Sequence, residues 1–440
     1  MLRVVPIVLA IAVCFLNLAF ISLDSHKNYS DPADAYTLHN HLTQDNNAQA
    51  APINTVQTFE DVTENPVKEN AAFVPRTDNI LRLYWNITPN AVKYEILIDG
   101  ATLYAYTNGI EIPVSNLSAK FQVNALSLEG IVLENKIPIR EIDTNPTSPR
   151  TTTEFDKMAY PPIYPVYSWI PVNGANHYEI ELIKDDKIIR RYFTDLNPSD
   201  DNFDLYDKTP VLDEGEYFWR VRAFNDDNQP LTDWSEKNES NSFEVKHQIR
   251  FCALGDSITH GGGSISVPPS TAIYNWETYC AIPVKNLGRS GDTTAELLAR
   301  FDNDVLPFRP EVLFIMAGVN DYRASIFGWE SVENLSLLKE KCEQSGIKPV
   351  FLTPTPLNPA QIQRVNFIEP PPADWQEHQK FICDWIRSQE NFIDVNEQLT
   401  DDAGNLIDSL SIDGLHPDAD GKKIIGEAVA AWLDKYLNLK

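Results

Sequence analysis

The C-terminal half of the 440-residue sequence alternates short apolar runs with amphipathic stretches, and this pattern constrains the fold most. The apolar runs predict five strands: Ile249–Leu254, Ile282–Asn286, Val312–Ala317, Pro349–Thr353 and Phe392–Val395. Helical spacing is clearest at Ser331–Ser345 and Ala419–Tyr436, and Thr293 and Glu296 have the spacing of a helix-capping box. Strands that alternate with helices form a parallel sheet covered on both faces. We therefore predict an α/β domain over residues 248–440.

The first of these strands leads into a polar, glycine-rich turn. Gly255, Asp256 and Ser257 come directly after the strand, and Gly261–Gly263 follow shortly after. A phosphate-binding loop would need a lysine and a hydroxyl residue after the glycines, and a dinucleotide-binding loop would need G-x-G-x-x-G; neither is present. Ligands and reactive groups of parallel sheets lie beyond the carboxyl ends of the strands. We therefore interpret Ser257 as a nucleophile and Asp256 as a helix cap.

A serine nucleophile needs a base, and the base needs an orienting acid. Asp413 and His416 stand three residues apart in a turn before the last predicted helix, so the carboxylate can bind one imidazole nitrogen while the other faces Ser257. The other two histidines of the domain fit this role less well. His260 is close to Ser257 in the chain, and His378 has the spacing of a helix-surface residue.

Acyl transfer also needs hydrogen-bond donors for the developing oxyanion. After the second strand, Asn286-Leu-Gly288 offers a backbone N–H at Gly288, and after the third, Gly318-Val-Asn320-Asp321 offers the side-chain amide of Asn320. We interpret Asp321 as a turn or network residue. The pattern leaves open whether Gly261–Gly263 form a substrate-side loop or only a wide turn.

These motifs, in this order, resemble those of the SGNH hydrolase superfamily, also called GDSL esterases. The matching residues are Gly255-Asp256-Ser257-Ile258, Asn286-x-Gly288, Gly318-x-Asn320-Asp321 and Asp413-x-x-His416. The resemblance implies a flavodoxin-like three-layer α/β/α fold that needs no metal or cofactor. It also implies that Ser257, His416 and Asp413 are the nucleophile, the base and the orienting acid. The implied oxyanion hole is formed by the Ser257 N–H, the Gly288 N–H and Asn320.

An internal repeat precedes this domain. Trp85, Ala91 and Tyr94 recur at the same spacing as Trp169, Ala175 and Tyr178, which predicts two copies of one domain over residues 75–147 and 148–247. The period-two pattern of Tyr217–Ala223 is typical of a half-buried strand. Both copies resemble fibronectin type III domains, which implies two β-sandwiches. Their aromatic residues are better suited to sandwich cores than to sugar binding.

The N-terminal segment predicts export. Val4–Leu23 is an almost unbroken apolar run after Arg3, so residues 1–23 are either a membrane anchor or a cleaved signal, and residues 24–74 form a polar linker. The formal net charge of −27 argues against nucleic-acid binding, which needs basic surfaces. We expect a protein outside the cytoplasm that contacts the membrane through its N-terminal segment alone.

Together these features predict a serine esterase that removes acyl groups, acetyl above all, from carbohydrate such as a cell-surface polysaccharide or from a small acylated molecule. Hydrolysis of lipid esters or thioesters is the alternative within the same chemistry. A noncatalytic glycan-binding or adhesion protein is the alternative from another class.

Overall fold

The computed structural model describes residue 76 and residues 79–116, 118–195, 203–262, 268–366 and 368–438. The predicted signal or anchor (1–23) and the linker (24–74) lie outside these residues. In the described part of the chain, no helix has the length and apolar character needed to cross a membrane.

Residues 79–147, called β-region 1 below, form two antiparallel sheets with strand orders β4-β1-β7 and β3-β2-β5-β6. The strands are β1 Ile80–Trp85, β2 Lys93–Ile98, β3 Ala101–Ala105, β4 Gly109–Pro113, β5 Phe121–Leu126, β6 Val132–Glu134 and β7 Ile139–Thr144. Side chains from both sheets share one apolar core. The repeat residues Trp85 and Tyr94 meet in this core, with ring centroids 5.2 Å apart.

Residues 148–247, called β-region 2, form a four-stranded antiparallel sheet of order β10-β9-β12-β13 and a two-stranded sheet β11-β8. The strands are β8 Val166–Ser168, β9 His177–Lys184, β10 Lys187–Asp195, β11 Asp204–Tyr206, β12 Gly215–Phe224 and β13 Ser242–Val245. Trp169 and Tyr178 pack with ring centroids 5.0 Å apart, so the Trp–Tyr pair recurs in both copies of the repeat.

The C-terminal domain is built on a five-stranded sheet in which every neighbouring pair is parallel. Its strands are β14 Phe251–Gly255, β15 Lys285–Asn286, β16 Val312–Met316, β17 Lys348–Leu352 and β18 Phe392–Ile393. The order β15-β14-β16-β17-β18 is the doubly wound order 2-1-3-4-5 of flavodoxin-like sheets. The predicted parallel α/β domain is confirmed. β15 is shorter than the predicted Ile282–Asn286, in which Pro283 cannot donate a ladder hydrogen bond.

Among the described residues of this domain, eight α-helices connect or follow these strands. They are α1 Ser257–His260, α2 Thr294–Asp304, α3 Val319–Arg323, α4 Gly328–Gln344, α5 Pro359–Val365, α6 Trp375–Arg387, α7 Asn396–Leu399 and α8 Ala419–Asn438. The predicted capping box opens α2, where the N–H of Thr293 donates to Glu296 Oε2 at 2.7 Å. The helices that begin just beyond β14 and β16 carry Ser257 and Asn320, so the sheet brings these residues to one edge.

β-region 2 and the C-terminal domain share one continuous apolar core, whereas most of β-region 1 packs around its own. Polar contacts also join β-region 2 to the C-terminal domain. The N–H of Ile163 donates to the carbonyl of Asn286 at 3.1 Å, and the hydroxyl of Tyr164 donates to Asp304 at 2.7 Å. β-region 2 is therefore packed against the domain that carries Ser257 and Asn320.

Candidate active site

Ser257 is the first residue of α1, directly after β14. The side chain of Asp256 caps this helix by accepting the N–H of Ile258 at 2.9 Å, as the sequence predicts. Burial raises the pKa of Asp256 to about 7. Because the first N–H groups of a helix have no partner within it, the Ser257 N–H is free, and it makes no hydrogen bond to any described residue. The turn thus places the Ser257 hydroxyl beside the free backbone N–H of the same residue.

Ser257, His416 and Asp413 form one hydrogen-bonded chain. Ser257 Oγ lies 3.0 Å from His416 Nε2, and His416 Nδ1 lies 2.8 Å from Asp413 Oδ2. Ser257 and His416 are 8% and 9% exposed, and Asp413 is fully buried. A neutral imidazole held by a carboxylate on one nitrogen can accept a proton on the other. The arrangement can therefore deprotonate Ser257 as its oxygen attacks an electrophile.

The Asp413 carboxylate is held in place by its own turn. Its Oδ1 accepts the N–H groups of Leu415 at 2.9 Å and His416 at 2.8 Å, which leaves Oδ2 for the imidazole. Burial alone would raise the pKa of Asp413, but the electrostatic interaction with His416 and the hydrogen bonds from His416 and Leu415 outweigh it and lower this pKa. Asp413 is thus ionised near neutral pH and fixes the His416 tautomer.

Asn320 lies in α3, the helix that follows β16. Its Oδ1 accepts from Arg323 Nη1 at 3.2 Å, and its Nδ2 donates to the carbonyl of Asp292 at 2.9 Å. An amide has two N–H hydrogens, so one is left for a ligand. The neighbouring Asp321 is a network residue, as predicted: its carboxylate accepts from Thr294 and from the hydroxyl of Ser331.

The structure does not offer the Gly288 N–H as a free donor. This N–H donates to the side chain of Asn286 at 2.8 Å within the same turn. A Cβ at Gly288 would lie 2.3 Å from the backbone nitrogen of His260, so the glycine permits close contact between the turn and α1. The expected role of Gly288 in the oxyanion hole therefore needs revision, because its hydrogen is already bonded.

Gly291, in the same loop, is a donor that the sequence analysis missed. Its φ of +90° suits glycine, and its N–H makes no hydrogen bond to any residue in the described ranges. Ser290 borders the nucleophile: a Cβ at Gly262 would touch both Ser290 Oγ, at 3.3 Å, and Ser257 Cβ, at 3.8 Å. The carbonyl of Asp292, on the other side, accepts from Asn320. In the sequence, the second glycine of Gly-Arg-Ser-Gly was the signal that could have indicated this donor.

The other two histidines of the domain are structural. His260 is buried, with Nε2 2.7 Å from the carbonyl of Tyr164 and Nδ1 2.8 Å from Ser290 Oγ. The helix-surface interpretation of His378 is wrong: its ring is 9% exposed and packs edge-to-face on Phe327 at 5.4 Å. The apolar face of α6 explains this burial, because Trp375 and Ile382 lie on either side of His378 along the helix and are also buried.

A known protein family matches the part of the chain that holds this site. Residues 253–424, which span the Ser257 turn and the His416 turn, match the model of the GDSL-like Lipase/Acylhydrolase family. This match supports an ester-bond hydrolase in this part of the chain. We call residues 248–440 the hydrolase domain from here on.

Several solved structures are similar to part of this chain. A lipase/acylhydrolase from Enterococcus faecalis is 24% identical, with 43% of this chain and 97% of that chain covered and a TM-score of 0.36. A GDSL-like lipase from Bacteroides thetaiotaomicron is 20% identical, with 44% and 91% covered and a TM-score of 0.36. Axe2, an acetylxylan esterase from Geobacillus stearothermophilus, is 19% identical, with 42% and 93% covered and a TM-score of 0.32.

One curated relative is the uncharacterised lipoprotein YqeF of Bacillus subtilis, 37% identical over 82 residues. The match covers 17% of this chain and 34% of the relative, so the chain spans about a third of that protein's length.

Proposed function

We propose that this ester hydrolase is a serine esterase that works through an acyl-enzyme on Ser257. Ser257 Oγ attacks the ester carbonyl while His416 Nε2 takes its proton. His416 then gives this proton to the departing alcohol as the carbonyl–oxygen bond breaks. Water attacks the acyl-Ser257 ester, with His416 again as base, and releases the acid. The observation that carries this proposal is the hydrogen-bonded chain from Ser257 through His416 to Asp413.

The oxyanion of each tetrahedral intermediate needs preorganised donors. We assign the Ser257 N–H and the second Nδ2 hydrogen of Asn320, both of which are free of protein partners in the described ranges. For the third donor, the sequence favours Gly288, but the bond from its N–H to Asn286 supports Gly291 instead. The mechanism uses no metal or cofactor.

The substrate we propose is an acetyl ester on carbohydrate outside the cytoplasm. The apolar segment before the linker supports export, and the lipoprotein relative is consistent with this location. The choice of carbohydrate rests on the analogy of an exported esterase that carries β-domains. Within the same chemistry, lipid esters or thioesters are the alternative. The noncatalytic alternative is not retained, because the family match over residues 253–424 supports an ester hydrolase.

We further propose that β-regions 1 and 2 are fibronectin type III-like sandwiches. Support comes from the recurring Trp–Tyr core pair and, in each region, from two antiparallel sheets. The aromatic residues of the repeat are buried, which supports a packing role over sugar binding.

The substrate proposal is tested by measuring acetate release from a panel of acetylated glycans, beside short-chain and long-chain synthetic esters. We expect rapid deacetylation of at least one glycan and faster turnover of short than of long acyl chains. The Ser257→Ala variant is the control for background hydrolysis. A preference for long acyl chains with no acetate release would contradict the carbohydrate proposal and support the lipid alternative.

A further inference from the structure

β-region 1 contacts the hydrolase domain at the turn that follows His416. Asn90, in the turn between β1 and β2, donates through Nδ2 to Asp418 Oδ2 at 2.9 Å, and its Oδ1 accepts the N–H of Ala419 at 3.1 Å. The N–H of Asn90 donates to the hydroxyl of Tyr274 at 2.8 Å. Three polar groups of one residue thus bind the hydrolase domain.

Asp418 lies at the end of the loop that carries His416, the proposed general base, and Asp413, its orienting acid. Its N–H donates to the carbonyl of Leu410 at 2.9 Å, and within the loop the N–H of Ile412 donates to the carbonyl of His416 at 3.1 Å. Asp418 Oδ1 also accepts the N–H of Gly421 at 2.8 Å, which fixes the start of α8. A shift of Asp418 therefore moves a short, cross-linked loop in which His416 is two residues away.

Apolar packing surrounds these polar contacts. Val92 of β-region 1 joins Tyr274, Ile412 and Ala419 of the hydrolase domain in a buried cluster that is separate from the cores of the two parts. Ile412 directly precedes Asp413 in the chain. At the exposed rim, Arg364 Nη2 lies 3.3 Å from Glu129 Oε1 of β-region 1. The contact therefore lies next to Asp413 in the chain and two residues from His416.

The internal repeat shows that the turn itself does not need an asparagine side chain. Asn90 has a φ of 65°, and the corresponding turn of β-region 2 has Gly174 at a φ of 83°. Glycine adopts this left-handed conformation without steric cost, and asparagine is among the few other residues that do so readily. Asn90 thus suits the turn and adds a side chain, which binds the catalytic loop.

We infer that β-region 1 is a positioning part of the active site, and that Asn90, through Asp418, sets the place of His416. This inference rests on the proposed role of His416 as base. The contact acts on the base and not on a substrate pocket, so its loss should lower kcat and leave KM nearly unchanged. Small misplacements of catalytic groups cost up to about a hundredfold in rate.

The test exchanges the donor and the acceptor of this pair in the full chain. Asn90→Asp keeps the left-handed turn and the acceptor for Ala419 but places a carboxylate oxygen against Asp418. Asp418→Asn combined with Asn90→Asp restores one donor and one acceptor in exchanged positions. The matched control is Asn228→Asp, at an exposed turn of β-region 2 with a φ of 56° and, among the described residues, no hydrogen bond to the hydrolase domain.

With a short-chain synthetic ester, we expect Asn90→Asp to lower kcat by roughly tenfold at nearly constant KM. The double variant should recover most of this loss, and Asn228→Asp should match wild type. Organophosphonate labelling of Ser257 should slow and recover in parallel. Circular dichroism verifies that each variant is folded.

Unchanged kcat in a folded Asn90→Asp variant would overturn the inference, as would a double variant no better than the single one. A loss that appears only as raised KM would also contradict it. Ser257→Ala in the same assay separates this failure from failure of the proposed function: if Ser257→Ala retains activity, the nucleophile is wrong, whatever Asn90 does.

Discussion

Ser257 Oγ and His416 Nε2 lie 3.0 Å apart although 159 residues separate them in the chain. The parallel sheet brings them together, because Ser257 follows the interior strand β14, whereas His416 lies in the turn just before the last helix. Their distance lies within the range of a hydrogen bond. A hydroxyl and an imidazole in this arrangement can act as nucleophile and general base.

Asp413→Asn should lower kcat roughly 10⁴-fold while the protein stays folded. The amide oxygen can still accept the backbone N–H groups of Leu415 and His416, so the turn should survive. The amide nitrogen would face His416 Nδ1 and force the proton onto Nε2, where Ser257 needs an acceptor. Steady-state kinetics with a short-chain ester, beside thermal unfolding, measures both effects. Activity within tenfold of wild type would mean that Asp413 does not set the tautomer.

Asn320→Ala should lower kcat by roughly 10²–10³ through the loss of one oxyanion donor. Because Asn320 also bonds to Asp292 and Arg323, the variant must be compared with Arg323→Ala, which removes the partner of the amide oxygen and the guanidinium charge but keeps the amide N–H groups. We expect Arg323→Ala to be clearly more active than Asn320→Ala. Equal losses in the two variants would indicate that the amide acts through packing and not as a donor.

His260 should make the folded state sensitive to acid. Burial lowers its pKa to about 4, whereas an unperturbed histidine titrates near 6.5. Between these values the unfolded chain binds a proton that the folded chain does not, so stability falls as the pH falls from about 6.5 to 4. The loss is about 3 kcal/mol in full.

His260→Gln should remove this part of the acid sensitivity. Denaturant unfolding of wild type and His260→Gln at several pH values between 4 and 7 measures the difference in slope. Parallel curves for the two proteins over this range would contradict the assignment. The difference in slope between the two proteins reports His260, whereas the slope of either protein alone does not. Burial also raises the pKa of Asp256 to about 7, which gives that group the opposite pH dependence.

The sequence predicts the parts of the site that depend on chain order and strand ends. Ser257 and Asn320 directly follow apolar runs that form parallel strands, so the edge of the sheet where they lie could be predicted. Asp413 and His416 could be paired because three residues within one turn keep them close. Local chemistry also sufficed for the Asp256 cap and the Thr293–Glu296 capping box.

Other features depend on loop conformation or on contacts between distant segments. Spacing alone cannot show that Asn286 turns back to accept the Gly288 N–H and leaves the Gly291 N–H free. The burial of His378 depends on Phe327, which lies far away in the chain. The bonds from Asn90 to Asp418 and Ala419 join domains that the sequence describes only separately. In each case the missing information is tertiary.

The central claim is that Ser257 is a nucleophile activated by His416, and labelling by a fluorophosphonate tests it most directly. Intact-mass measurement of the full chain should show a single phosphonyl group, and peptide mapping should place it on Ser257. Ser257→Ala should neither react nor hydrolyse esters, and His416→Ala should react far more slowly than wild type. A label on another residue, or wild-type hydrolysis by Ser257→Ala, would contradict the claim.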